Sequence, residues 1–298
     1  MHGWIILDKP LGLGSTQGVS AVKRALRAAG YGPKMRDMPK VGHGGTLDPL
    51  ATGVLPIAVG EATKLAGRML DSDKVYTFTI GFGVETDTLD LEGSPVATSD
   101  ERPTRAGIEA ILPRFTGPIA QVPPAYSALK VDGERAYDLA RAGEAVTLAS
   151  RNVTIHALSL ETQDADSATL TAHVSKGTYI RSLARDIAQA LGTVGHVTLL
   201  RRTKAGPFTL GSAISLDKLD EAAKARALEH LLLPLRAGLD DIPALSLTPD
   251  QAGLLRQGQV LAGAAAEDGQ YFATLDAVPV ALVEAQSGLV RVVRGFNL

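Results

Sequence analysis

The sequence predicts an α+β fold with a mixed, largely antiparallel sheet flanked by helices, followed by a small β-rich module. Three observations predict it. Several segments, such as KVYTFTIGFGVET, alternate apolar and polar residues with the period of a half-buried strand. Amphipathic helical stretches stand between such segments without a regular βαβ rhythm, which argues against an all-parallel sheet. Beyond LRAGLDDIPAL the helical pattern gives way to short β-like pieces, ATLDAVPVALVEA and GLVRVVRGF. That change predicts two domains, 1–241 and 242–298.

In chain order, GWIILDKP is an apolar strand stopped by Pro10. Ser15 or Thr16 caps a helix on which Val19, Val22, Ala25, Leu26 and Ala29 share a face, and Gly30 ends it. YGPKMRDMPK, Tyr31 to Lys40, is a loop. TRAGIEAILPRF is a helix stopped near Pro113, and the stretch from Asn152 to Ile180 holds two strands around the polar turn TQDAD. RSLARDIAQALG is an amphipathic helix ended by Gly192, and HVTLLRRTKAGPF is a further strand. There is no internal repeat.

The chain has 298 residues, 45% of them apolar, and no cysteine. Disulfide scaffolds, thiolate metal sites and cysteine nucleophiles are thereby excluded. Asp8 and Lys9 interrupt the N-terminus too early for a signal peptide. No apolar run reaches the roughly 18 residues of a membrane span. A soluble cytoplasmic protein is expected. The formal net charge is -2, but its distribution is uneven. Met1 to Leu70 carries nine Lys/Arg against four Asp/Glu, Lys176 to Lys204 six against one, and Ala205 to the end seven against eleven. The two basic segments are either solvated faces or halves of one surface for an anionic ligand.

The stretch VGHGGTLDPLATGVLPIAVGEATK, Val41 to Lys64, is apolar and punctuated by glycine, yet holds a lone carboxylate, Asp48, between Leu47 and Pro49. It lacks the Gly-Lys-Ser/Thr of a phosphate loop, and the chain has neither His-Glu-x-x-His nor Gly-x-Ser-x-Gly. Glycosidase or aspartic-protease chemistry needs paired carboxylates, and this stretch supplies only one before Glu61. Read alone, Asp48 caps a turn or a helix through backbone N–H groups, and His43 is a loop histidine.

Taken together, GHGGTLDPLATGVLPIAVGEATK, DSDKVYTFTIGFGVETDTLDLEG, YSALKVDGERAYDLAR, SKGTYIRSLARDI and HVTLLRRTKAGPF resemble, in order and spacing, the TruB family of bacterial tRNA pseudouridine synthases. The resemblance runs from about Gly3 to Leu210. It implies the pseudouridine-synthase catalytic domain plus a C-terminal PUA-like β domain. It also implies isomerisation of the T-loop uridine at tRNA position 55 by base flipping, glycosidic cleavage and reattachment through C5, with no metal or cofactor. On it Asp48 is the catalytic carboxylate, acting on C1′ or on the C2′ proton, in a pocket that excludes water. Arg181 orients Asp48, and Tyr76 stacks on the target base. Tyr179 and Leu200 line the uracil pocket, and His43 takes the space that the flipped nucleotide leaves. Lys9, Lys64, Lys130 and Arg202 are basic positions near the RNA or the active site, able to contact phosphates. The expected partner is tRNA, with a monomeric enzyme that needs no protein partner and no membrane.

Two positions depart from the family pattern. Gly44 stands where a threonine is usual and Gly14 where a hydroxyl is usual, leaving Ser15 as the surviving hydroxyl and predicting a looser backbone. The Tyr31–Lys40 loop is longer than the pattern and is expected to face RNA. Two other readings remain on the same scaffold, a non-catalytic RNA-binding or RNA-folding protein and a guide-RNA-dependent relative. Asp48, Tyr76 and Arg181 argue against the first, and the acidic C-terminal region argues against the second.

Overall fold

The computed structural model describes residues 1–298 apart from 33–36, 128, 132, 143–147 and 264–265, and of 130, 131 and 135 it describes the backbone alone. The middle of the Tyr31–Lys40 loop and the side chain of Lys130 therefore lie outside the described residues.

A large sheet forms the frame. In chain order its strands are β1 (Gly3–Lys9), β2 (Val41–His43), β3 (Ala51–Val59) and β4 (Lys74–Phe82). A hairpin of β5 (Val84–Thr86) and β6 (Pro95–Thr98) follows, then β7 (Gly117–Gln121) and a second small hairpin, β8 (Lys130–Val131) with β9 (Glu134–Arg135). The sheet resumes with β10 (Arg151–Gln163), β11 (Ser167–Val174), β12 (Gly195–Ala205) and β13 (Phe208–Thr209). The order across it is β1-β3-β12-β4-β11-β10-β7, with β2 added to β3 and β13 to β12. Only β3 and β12 run parallel; every other described pair in it is antiparallel.

Helices cover the sheet. They are α1 (Ser15–Ala28), α2 (Ala66–Asp71), α3 (Arg105–Ile111), α4 (Ala136–Arg141), α5 (Ile180–Ala190) and α6 (Leu216–Lys224). Leu183 and Ile187 of α5 and Ile108 of α3 pack with Phe78, Ile80 and Leu170 in one cluster. Val22 and Leu26 of α1 and Leu219 of α6 pack with Leu7, Leu55 and Ile57 in a second. Tyr76 and Leu200 touch both clusters and so mark the seam between the two helical layers.

The predicted elements are present, with two instructive differences. The apolar run after Asp48, to which the sequence pattern assigned no element, is the buried strand β3, Ala51–Val59. Pro56 and Gly53 disguise it. Pro56 falls between the two partners on its side of β3, since β12 pairs only with residues 51–53 and β2 with 57–59, so its missing N–H breaks no ladder. Gly53 has φ +100° and lies so close to β12 that a Cβ there would sit 2.1 Å from the Arg202 carbonyl oxygen. The second difference is the start of α1, where Ser15 is not the cap. Gly14 takes that place, and the Gln17 side chain accepts its N–H at 2.7 Å.

The C-terminal module begins at β14 (Ala244–Ser246) and continues through α7 (Pro249–Arg256), β15 (Leu261–Ala262), β16 (Gly269–Leu275), β17 (Val278–Gln286) and β18 (Leu289–Gly295). Its five strands form a separate sheet, and ten buried residues give it a core of its own. The module is nevertheless docked, because Phe272, Leu282 and Phe296 are buried in one cluster with Trp4, Met69 and Phe208. No helix of the described residues is long and apolar enough to cross a membrane.

Candidate active site

Asp48 stands on the short loop joining β2 to β3, and that loop is fastened from three directions. Ser15 at the start of α1 is buried, and its Oγ both accepts the N–H of Leu47 and donates to the carbonyl of Leu47, each at 2.8 Å. Lys9 at the end of β1 is fully buried and donates to the carbonyls of Pro10, Leu13 and Pro49. Arg202 on β12 is 1% exposed and donates to the carbonyls of Val54, Thr46 and Gly45 at 2.8, 3.2 and 3.3 Å. The residues on either side of Asp48 thus have their backbone groups paired to side chains from different elements. A loop so held presents its carboxylate in one place.

Arg181 approaches from the first turn of α5. Tyr179 just before that helix is clamped by the buried Gln121, which accepts its N–H at 2.8 Å and donates to its carbonyl at 3.1 Å. The buried guanidinium donates to the carbonyls of Thr88 and Tyr126 at 2.9 and 3.1 Å. Its Nη2 lies 3.0 Å from Asp48 Oδ2, and its Nη1 3.5 Å from Asp90 Oδ2. One planar fork therefore spans two carboxylates and two carbonyls, which a lysine could not do. Asp90 is itself fixed by the Thr88 hydroxyl at 2.6 Å and the Glu92 N–H at 3.0 Å. The turn that delivers it holds Leu89 at φ +63°, a conformation an L residue adopts at a cost of about 1–3 kcal/mol.

Asp48, Asp90 and Arg181 open into a cleft of about 750 Å³ on the seam between the helical layers. Four of the six tyrosines line it, Tyr76, Tyr126, Tyr137 and Tyr179, together with Leu200, Lys74 and Arg141. The aromatic faces and cationic rim match the chemistry that takes up splayed bases and their phosphates. Arg141 lies over the Tyr137 ring at 4.4 Å and Arg151 over the Tyr179 ring at 4.7 Å. The Asp48 side chain is 43% exposed, so water reaches it until a ligand fills the cleft.

Burial pulls two lysines beside this site down to about 8. For Lys9 the nearby Asp48 opposes that effect and Arg202 adds to it; for Lys74 it is Arg202 that adds and Asp71 that opposes. Lys74 spends its ammonium on the carbonyls of Met69, Leu70 and Ser72 at the end of α2. Burial, and then Arg202, also lower His43, which keeps that ring uncharged at neutral pH.

Of the residues singled out from sequence, Asp48, Tyr76, Tyr179, Arg181, Leu200 and Arg202 come together around the cleft. His43 stands on β2, outside the lining, which begins at Gly45, and its buried Nδ1 has no partner among the described residues. Two basic positions need correction as phosphate contacts. Lys9 and Arg202 are buried and spend their donors on loop carbonyls, so their charges support the Asp48 loop rather than meet solvent. Lys64 pairs with Glu61 at 2.7 Å and donates to the Gly295 carbonyl at 2.8 Å, on the seam with the C-terminal module. The predicted looseness at the two family departures is also absent. Met69 occupies the space beside Gly44, where a Cβ would lie 2.6 Å from the Met69 Cβ, and Gly44 donates to the Pro56 carbonyl at 2.8 Å. Gln17 serves the Gly14 end.

Sequence reasoning assigned no role to Asp90, Gln121, Tyr126, Tyr137 or Arg141. The one available signal for Asp90 was its place among three carboxylates in the stretch TDTLDLEG.

Known proteins resemble this chain in sequence and in fold. The family model described as TruB family pseudouridylate synthase (N terminal domain) matches residues 33–180, and that of the tRNA pseudouridylate synthase B C-terminal domain matches residues 181–240. The chain is 68% identical over 303 residues to the tRNA pseudouridine synthase B of Novosphingobium aromaticivorans, covering 100% of this chain and 98% of the relative. It is 62% identical over 297 residues to that of Zymomonas mobilis, covering 100% and 96%. Among solved structures, the archaeal box H/ACA sRNP Nop10-Cbf5 complex includes a chain that aligns with a TM-score of 0.73 at 23% identity, over 99% of this chain and 86% of that one. A Cbf5-Nop10-Gar1 complex gives 0.74 at 24%, over 99% and 85%. At that identity the likeness is one of fold.

Proposed function

The chain belongs to the TruB family of pseudouridylate synthases, and from that premise we propose that it converts uridine 55 of the tRNA T-loop to pseudouridine. In that reaction the N1–C1′ bond breaks, the uracil turns in place, and a C5–C1′ bond forms as C5 loses a proton and N1 gains one. No electrons are exchanged with a second reactant. The observation that carries the reading is Asp48 Oδ2 at 3.0 Å from the buried Arg181 in a tyrosine-lined cleft.

Asp48 is the group at the sugar. Arg181 engages Oδ2, and no described residue bonds Oδ1, which leaves that oxygen free for C1′ or for the C2′ proton. The same Arg181 holds Asp90, so the carboxylate that reacts and the one that does not are positioned by one fork. Tyr76, at the seam of both cores, stacks on the flipped uracil, with Tyr179 and Leu200 as further walls. Filling the cleft expels the water that reaches Asp48 in the free protein and strengthens its pairing with Arg181. Arg141, Tyr126 and Tyr137 face the RNA on the rim. The enzyme works as a monomer in the cytoplasm without a protein partner, the acidic C-terminal region being a poor match for a second polyanion.

The test is formation of pseudouridine in a T stem-loop transcript by the purified chain and by Asp48→Asn. The substitution keeps the shape and removes the nucleophile or base. Turnover should vanish while RNA binding stays within about tenfold, or about 1.4 kcal/mol. A non-catalytic RNA binder would bind the transcript and leave it unmodified. Pseudouridine made by the purified variant would refute the role of Asp48.

A further inference from the structure

On the face of the sheet turned away from the cleft, three metal-ligating side chains meet. His156 Nε2 lies 3.2 Å from Asp73 Oδ2, and His173 Nε2 lies 3.7 Å from the same oxygen. The two imidazole rings are 4.8 Å apart. One ligand atom from each residue falls within 4.8 Å of the other two. The mechanism above uses none of these residues.

Strand register makes the meeting. His173 on β11 alternates with the buried Val174 and so faces outward. A bulge in β10 between Ile155 and Ala157 sets both His156 and Ala157 against His173, which puts the His156 ring on the same outer face. Asp73 precedes Lys74, whose partner is Val174, and this places its carboxylate diagonally next to His173. The Gly206 N–H holds the Asp73 carbonyl at 2.9 Å. The strands β11 and β10 and the residue just before β4 thus contribute to one point.

We propose that Asp73, His156 and His173 form a surface site for a divalent transition metal, Zn²⁺ in the first instance. Bonds of about 2.1 Å to a tetrahedral ion set ligand atoms about 3.4 Å apart, and the two Asp73–imidazole separations of 3.2 and 3.7 Å bracket that figure. Two imidazoles with one carboxylate select Zn²⁺, Co²⁺, Ni²⁺ or Cu²⁺ over Mg²⁺ and Ca²⁺, which prefer oxygen. Asp73 and His173 also border a side cleft lined by Asp71, Asp240 and Asp241, of which Asp71 is paired with Lys176 and Asp241 with Arg68. The fourth coordination position is left to water. A bound ion would tie the beginning of β4 to the bulge of β10 across β11.

The experiment uses the full-length, untagged protein, stripped with chelator and titrated with Co²⁺ and Zn²⁺ at neutral pH. One equivalent of Co²⁺ should give a tetrahedral-type visible spectrum that Zn²⁺ abolishes, and Zn²⁺ should raise the thermal midpoint. Asp73→Asn, His156→Ala and His173→Ala should each weaken binding more than tenfold. His230→Ala, an exposed histidine apart from the cluster, should bind as the wild type does. These side chains are partly exposed, so the variants retain the fold, checked by circular dichroism, and keep their activity on tRNA. Absence of one-equivalent binding, or binding that survives any of the three cluster substitutions, overturns the proposal.

Discussion

Replacing Ser15 with alanine tests how the Asp48 loop is held. The hydroxyl is buried and bonds both the N–H and the carbonyl of Leu47 at 2.8 Å, one residue before the carboxylate. Alanine fits the same space but strands a buried donor and a buried acceptor, each costing about 1–3 kcal/mol. Relaxation of the loop toward water recovers part of this, so a loss of roughly 2–4 kcal/mol is expected, small enough to leave a domain of ordinary stability folded. That relaxation is what reaches the chemistry. Freed at Leu47, the loop shifts Asp48 against Arg181, and a displacement of about 1 Å costs on the order of a hundredfold in rate. The assay is single-turnover release of tritium from C5 of labelled uridine in tRNA, run beside urea unfolding and a binding titration. The expected pattern is a rate loss near a hundredfold, reduced stability and unchanged affinity. A rate within threefold of wild type, with the stability loss present, would show that Arg202 and Lys9 hold the loop without Ser15.

Three further outcomes follow from the geometry. Arg181→Lys keeps the charge but cannot span Asp48, Asp90 and the carbonyls of Thr88 and Tyr126, so the chemical step should fall far more than binding, as single-turnover rates against affinities will report. Arg202→Met strands the carbonyls of Val54, Thr46 and Gly45 and should cost roughly 3–5 kcal/mol in urea unfolding. It should leave the salt dependence of RNA binding unchanged, whereas loss of a phosphate contact would lower that slope by about one. Deleting 242–298 removes Phe272, Leu282 and Phe296 from beside Trp4, Met69 and Phe208, so the shortened chain should melt at a lower temperature and expose dye-binding apolar surface.

Legibility in the sequence tracked how local the determining physics is. Strands such as Lys74–Phe82 and helices such as Ile180–Ala190 were readable because their apolar periodicity is written along the chain. Ala51–Val59 was hidden because its Gly53 and Pro56 obey long-range constraints, a close pass under Arg202 in one case and a gap between two partner strands in the other. Asp48 and Arg181 are 3.0 Å apart in space, yet separated by 133 positions in the chain, and no spacing rule links them. The family resemblance linked them. Asp90 followed neither route, because its place depends on the positive φ of Leu89, the residue just before it.

Charge was the least legible property. The two basic segments do converge, since β12 brings Arg202 to the loop after β2 and β1 brings Lys9 beneath it. What they converge on is a set of carbonyl oxygens. A sequence count gives every lysine and arginine the same outward charge, whereas burial turns some into backbone clamps. Carbonyls that end a strand or form a tight loop need donors, and a loop whose glycines and prolines leave few N–H groups to answer them recruits long cationic side chains instead. Arg141, on the cleft wall, lies over the Tyr137 ring, and Arg151, which also donates to the Gly177 carbonyl, lies over the ring of Tyr179. On the proposed function, an arginine on a tyrosine ring is the kind of cation left to meet RNA, while Lys9 and Arg202, spent on carbonyls, hold the loop that carries Asp48.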